Sequence, residues 1–357
     1  MKLQTVDWWL VTPLVLLMLF GLVILRSVDP TQVVEQGIIM LVGLGLFFAL
    51  TFIDYRLFSH LSWGIYALTI LSLLTTMIIG QTTRGVVSWI PIGPLQLQTS
   101  EIAKPLLALF FASIAYRYPP DTFKNTLISL LLFLIPAFLV FRQPDFGSAM
   151  VIGAMWLGIV FAAGLAPKFL LSGIFALVIL LPLGWQRLAD YQRLRVITFI
   201  NPLSDPLKNG YNLLQSIIAV GSGEFFGRGL GQGTQSQLRF LPERHTDFVF
   251  ASLSEELGLV GASLLLGLFT LLLARVLKIA KDAPDSFGSL ICFGVFSQVS
   301  FQIFINVGMN IGLVPITGIT LPFISSGGSS LLATCLSLGL VGSVALRRKT
   351  ATSFEIR

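Results

Sequence analysis

Apolar stretches of roughly 20 residues recur along this chain, parted by short polar segments. Each is long enough to carry a helix across a hydrocarbon layer about 30 Å thick. The pattern predicts spans near residues 8–26, 33–53, 61–80, 99–117, 124–141, 147–165, 167–186, 247–278, 286–309 and 328–347. The fold class is therefore an all-α polytopic membrane protein of about ten transmembrane helices. One connection is long, residues 187–246 between the seventh and eighth spans. The first span, from Trp8 to Leu25, has no small-x-small cleavage pattern and reads as an uncleaved helix. Residues 1–357 are expected to form a single membrane domain.

Composition agrees. Of the 357 residues, 55% are hydrophobic and only 11% charged, against about 25% charged in a soluble domain. Cys292 and Cys335 lie inside apolar runs and read as small core residues, and His60 and His245 are too few to build a zinc cluster. The net charge of +6 is better explained by topology than by nucleic acid. With both termini in the cytoplasm, the inside segments hold Lys2, Arg56, Arg117, Lys124, Lys168, Arg275, Lys278, Lys281, Arg347, Arg348, Lys349 and Arg357. The short outside loops hold only Arg26, Arg84 and Arg142. That bias makes the long loop extracytoplasmic in the inner membrane.

Charge in a bilayer is costly, by about 2.5–3.5 kcal/mol per residue at a helix centre, so its placement is informative. Glu101 and Lys104 open the fourth span on one helix face, as a self-neutralising pair or as a functional one. Asp145, in RQPDFGSA, caps the sixth span or offers its carboxylate to the outer surface. Asp247, in LPERHTDF, opens the eighth span with the same two readings. Glu255 and Glu256 lie deeper, as structural hydrogen-bond partners or a packing switch. The outer half holds these carboxylates and the inner half is nearly bare, which favours chemistry at the outer membrane–water boundary over ion-coupled carriage.

Two loops stand out. GSGEFFGRGLGQG, residues 221–233, is either a flexible lid or a set of backbone N–H groups near an anion such as a diphosphate. The segment from Asn306 to Ser330 carries no charge and is rich in Gly, Pro, Ser and Thr. Irregular backbone that apolar is expected to re-enter the bundle and wall a pocket.

The stretches NVGMNIGLVPITGITLPFISSGGSS, RQPDFGSA, QTSEIAKP and YNLLQSIIAVGSGEFFGRGLGQGTQSQLRFLPERHTDFVFASLSEELGLVG resemble the SEDS family of bacterial cell-wall polymerases. The likeness covers essentially the whole chain, and GTQSQLRFLPERHTDF and GMNIGLVPITG point to its elongation branch over its division branch. The resemblance implies a peptidoglycan glycosyltransferase that uses lipid II and an undecaprenyl-diphosphate-linked glycan, makes β-1,4 strands during cell elongation, and releases undecaprenyl diphosphate. It implies a class B penicillin-binding protein transpeptidase and other elongation-complex proteins as partners.

Carried over by motif, Asp247 is the general base. Glu101, Lys104, Asp145, Ser325, Ser326, Gly327 and Gly328 are expected to shape the pocket, and Arg193, Arg195, Arg239 and Lys104 are the cations available to a diphosphate. A divalent cation, Mg or Mn, is a possible cofactor, with Asp247 or Asp145 as an oxygen ligand. Two rival classes stand beside this reading. A lipid-linked precursor flippase predicts a hydrophilic path through the inner half of the membrane. A non-catalytic scaffold for the transpeptidase predicts that the outer carboxylates are dispensable.

Overall fold

The computed structural model describes residues 6–83, 86–92, 95–173, 190–202, 210–238 and 240–352, with positions 175 and 179. The apolar runs become helices α1 (Trp8–Val28), α2 (Val33–Phe52), α3 (Ser62–Ile79), α4 (Thr99–Arg117), α5 (Phe123–Arg142) and α6 (Phe146–Ala162). The long connection contributes α7 (Asp190–Ile200) and α8 (Tyr211–Ser222). The chain then closes with α9 (Val249–Lys281), α10 (Ser286–Asn310) and α11 (Gly328–Thr352). Six segments among the described residues are long and apolar enough to cross a membrane, and Ser62–Ile78 and Phe146–Ala162 are shorter apolar helices. The seventh expected span begins as helix at 167–173, and most of its remainder lies outside the described residues.

The more polar helix α4 is the axis of the bundle. It packs on α3, α6, α10 and α11, and nearly every residue from Thr99 to Ala115 is buried. A helix surrounded by protein has no lipid-facing stripe to keep apolar, so Ser100, Glu101, Lys104 and Ser113 are tolerated there once partnered. Cys292 and Cys335 are free and buried, as small core residues.

The sequence reading missed a small antiparallel sheet between α3 and α4. Its strands are β1 (Gln81–Thr83), β2 (Val86–Ile92) and β3 (Leu95–Gln98), in the order β1-β2-β3. Trp89 pairs with Gln98, so the sheet sets both at the mouth of the bundle beside α4. The signal was there, because VVSWIPI and LQLQ are strand-like runs with Gly85 before the first and Gly93-Pro94 between them in sequence.

Helix α9 is broken at Gly258, whose φ of 63° and ψ of −161° are non-helical. The glycine-rich segment fills that break. Arg228 and Gly229 donate their N–H groups to the carbonyls of Glu255 and Glu256, at 2.9 Å each. In return Leu259 and Val260 donate to the carbonyls of Glu224 and Phe225, at 2.9 and 3.1 Å. Gly227, at φ 78°, lies so close that a Cβ would sit 2.1 Å from the Glu256 oxygen. Its backbone groups are spent on the broken helix, which corrects both the lid and the anion-cradle readings.

Glu255, fully buried, accepts N–H donors from Gln235 (2.8 Å) and Ser236 (3.0 Å) and so caps the single-turn helix Thr234–Gln237. Glu256 accepts the Gln237 amide at 3.0 Å. Both glutamates are structural partners of the long connection.

Candidate active site

Asp247 sits in a short segment tied down from three sides. Towards α1, the Arg244 guanidinium donates to the Val28 carbonyl at 3.2 and 3.3 Å. Asp29, just past α1, has its carboxyl held below the usual range by the Thr31 hydroxyl and N–H against the opposing effect of burial, and His245 approaches it at 3.9 Å. From the charge-free loop, the Ser325 hydroxyl donates to the Thr246 carbonyl (2.6 Å), and the Ser326 N–H donates to the His245 carbonyl (2.8 Å).

From α10, the side-chain amides of Asn306 and Asn310 each donate to the Asp247 carbonyl at 3.1 Å. Both asparagines are fully buried. Asn306 also holds the Ile319 carbonyl at 2.7 Å, while the Asn310 oxygen accepts the Ala251 N–H at 3.1 Å in the first turn of α9. The backbone of Asp247 is thus fixed, and its half-buried carboxylate faces Gly318, at φ 75°, where an added Cβ would sit 3.6 Å from Oδ2.

That carboxylate lines a polar cavity of about 200 Å³. The cavity brings together Glu101, Lys104, Asp145, Arg195, Asp247, Ser326 and Gly327 of the residues predicted from sequence. Lys104, 1% exposed, donates to Glu101 Oε1 at 2.5 Å, the i,i+3 pair expected on α4. The second Glu101 oxygen has no hydrogen-bond partner among the described residues. Asp145 does cap α6, accepting the Ser148 N–H at 3.0 Å, while its other oxygen accepts from Gln98 (3.0 Å) and Ser100 (2.7 Å). Thr317, Thr320, Ser329 and Ser330 add hydroxyls that suit a sugar.

Not every residue expected at the site lines this cavity. Ser325 does not line the cavity, because its hydroxyl is turned back to hold Thr246 and to accept the Leu321 N–H. Gly328 faces α2, where a Cβ would meet Ile39 at 2.9 Å. Arg193 does not line the cavity, although its helix supplies Arg195. Arg239 lies outside the described residues. The residues present do not fit a preformed metal centre. Asp145 is committed to three donors, and among the described residues no three His, Cys, Asp or Glu side chains converge.

The sequence reading missed Asn306, Asn310, Trp89 and Gln98. The charge-free pattern sets the first two in the last loop, whereas α10 runs on to Asn310. Two carboxamides four residues apart at the end of an apolar span were the available signal.

A second cavity of about 200 Å³ adjoins the first through Phe146, Arg195 and Thr317. Its other walls, Met150, Ile305, Val314, Pro315 and Ile316 with Gln192, are almost wholly apolar.

Fold and site together define a polytopic membrane protein with a carboxylate-bearing polar cavity at one end of its bundle. The family described as cell cycle protein, FtsW/RodA/SpoVE, matches residues 2–350, and the chain belongs to that family. It is 39% identical over 309 residues to the peptidoglycan glycosyltransferase MrdB of Escherichia coli K12, covering 86% of this chain and 84% of that one. The crystal structure of the rod shape determining protein RodA of Thermus thermophilus superposes with a TM-score of 0.73 at 32% identity, over 96% of this chain and 97% of that one. A chain from a peptidoglycan synthase complex that coordinates polymerization and crosslinking superposes with a TM-score of 0.86 at 35% identity, over 96% and 98%.

Proposed function

We propose that this chain is a peptidoglycan glycosyltransferase that extends glycan strands from lipid II in the polar cavity, with Asp247 as general base. The observation that carries the reading is a half-buried carboxylate on a backbone clamped by two buried asparagines, facing the Lys104–Glu101 pair and Arg195. In the proposed step Asp247 takes the proton of the 4-hydroxyl of the incoming lipid II. That oxygen bonds to the anomeric carbon of the growing lipid-linked strand, and the bond from this carbon to the diphosphate breaks. Undecaprenyl diphosphate leaves with the electron pair, next to Lys104 and Arg195, and Asp247 returns its proton to water. Base catalysis of this kind contributes about 10²–10⁴-fold. The adjoining apolar cavity supports a lipid-borne substrate, since it offers a prenyl chain a dry wall beside the polar site.

The positive-inside pattern supports cytoplasmic termini and a cavity on the extracytoplasmic face of the inner membrane. Likeness to a chain of a synthase complex supports a transpeptidase partner, which we take to be a class B penicillin-binding protein.

Purified protein given lipid II and no other polymerase is expected to make glycan visible on a gel. Asp247→Asn is expected to insert and fold normally and to polymerise almost nothing. Substantial polymer from that variant removes Asp247 from the mechanism. Transbilayer movement of lipid II without polymer supports the flippase, and neither activity supports the scaffold.

A further inference from the structure

A groove of about 520 Å³ lies far from the polar site. Asp247 lies two residues before α9, and Ala274 lies 16 residues beyond the break at Gly258, roughly 24 Å further along the helix at 1.5 Å per residue. One wall is Trp9, Pro13 and Leu16 of α1, a single helix face, and the other is Leu268, Leu271 and Ala274 of α9. Trp9 is 77% exposed and Leu271 62%, so the groove opens sideways to the surface that meets hydrocarbon. Ala274 leaves the space a longer side chain would fill.

Its charged lining is confined to one end. Arg275 is neutralised there by Asp7, with Nε–Oδ1 3.0 Å and Nη2–Oδ2 2.5 Å. Lys278, one turn beyond Ala274, is exposed and makes no hydrogen bond or ion pair among the described residues. The groove therefore presents a strip of aliphatic wall, an aromatic ring at its edge and one uncompensated ammonium at its head. An indole at the polar boundary of a bilayer and a basic residue beside an apolar slot are the features that hold a lipid headgroup in register.

We infer that this groove binds one anionic phospholipid of the leaflet at that end of the bundle, with an acyl chain along Leu268, Leu271 and Leu16 and its headgroup phosphate on Lys278. Any acyl chain satisfies the apolar strip. The unpaired ammonium is what selects a net negative headgroup over a zwitterionic one. The inference rests on the chain spanning a membrane and is independent of glycan polymerisation. Its occupant touches α1 and α9, the two helices whose opposite ends carry the Arg244–Val28 tie and Asp247.

The test is native mass spectrometry of the full-length protein titrated with phosphatidylglycerol or phosphatidylcholine of identical chains. Wild type is expected to retain one phosphatidylglycerol in preference to phosphatidylcholine. Lys278→Ala is expected to weaken phosphatidylglycerol about fivefold and Lys278→Glu about 25-fold, with phosphatidylcholine unchanged. Ala274→Trp, which fills the groove, is expected to remove the bound lipid of either kind. Lys278 is exposed, so its variants should melt as wild type does. Equal retention of the two lipids by wild type, or no loss of preference in Lys278→Glu, overturns the inference. So does photocrosslinking from position 271 in native membranes, if it captures a partner's transmembrane helix instead of phospholipid.

Discussion

Asn310 offers the sharpest test of how the site is held. Replacing it with Ala leaves the buried Ala251 N–H, a first-turn donor with no intrahelical acceptor, without the Asn310 oxygen 3.1 Å away. An orphaned buried donor of this kind costs about 1–3 kcal/mol. The Asp247 carbonyl keeps Asn306 but loses its second donor at 3.1 Å, worth about 0.5–1.5 kcal/mol. The variant should therefore be about 1.5–4.5 kcal/mol less stable. The greater effect should be kinetic, because a base displaced by about 1 Å can lose about 10²-fold in rate. Lipid II polymerisation by the folded fraction, with kcat and KM separated, is the assay. The expected result is a kcat fall of one to two orders of magnitude with little change in KM. Asn310→Asp should be worse, since it sets oxygens against the Asp247 and Asn306 carbonyls, the latter 2.7 Å from the present amide. A purely structural role lowers the melting temperature and leaves the kcat of folded protein alone. That outcome, with kcat within twofold of wild type, refutes the clamp.

Lys104→Met leaves the Glu101 carboxylate buried without its cation and should cost about 3–5 kcal/mol. The double variant Glu101→Lys with Lys104→Glu restores the pair less about 0.5–1 kcal/mol for a cation at the helix N-terminus. If it folds and polymerises nothing, a shaping role for the pair is wrong. Gly227→Ala must both adopt φ 78° and place a Cβ 2.1 Å from the Glu256 carbonyl, so it should destabilise by more than about 2 kcal/mol. Gly221→Ala meets open space inside α8 and should gain about 0.5–1 kcal/mol; thermal melts in detergent compare the two. Asp285 caps α10 and accepts from Tyr55 (2.6 Å) and Arg56 (2.9 Å). Burial alone raises its carboxyl, and the Tyr55, Gly288 and Arg56 hydrogen bonds outweigh it and hold the group low. A depressed folded value contributes stability above about pH 4, lost as pH falls through that value. Asp285→Asn should flatten the acid limb of a melting-temperature profile, and an unchanged limb counts against the assignment.

The membrane class, most spans, and the carboxylates at α4, α6 and α9 were legible in the sequence, because transfer into a bilayer penalises charge residue by residue. A hydropathy run reports that cost without knowing any neighbour. The i,i+3 relation of Glu101 and Lys104 and the capping role open to Asp145 are likewise local, set by 3.6 residues per turn. Tertiary structure alone decided which helix is central. Helix α4 has the least periodic pattern of the spans because protein surrounds it, so its polarity reads as weakness in sequence and as an axis in the fold.

The same holds for the site. Residues far apart in the chain, Asn306 and Asp247 among them, meet through hydrogen bonds whose strength depends on burial. No local pattern encodes which carbonyl an amide will reach. The glycine-rich segment shows this most plainly: its composition permits a lid, an anion cradle or a brace. The break at Gly258 makes it the brace, because four exposed backbone groups in a broken helix had to be satisfied from somewhere.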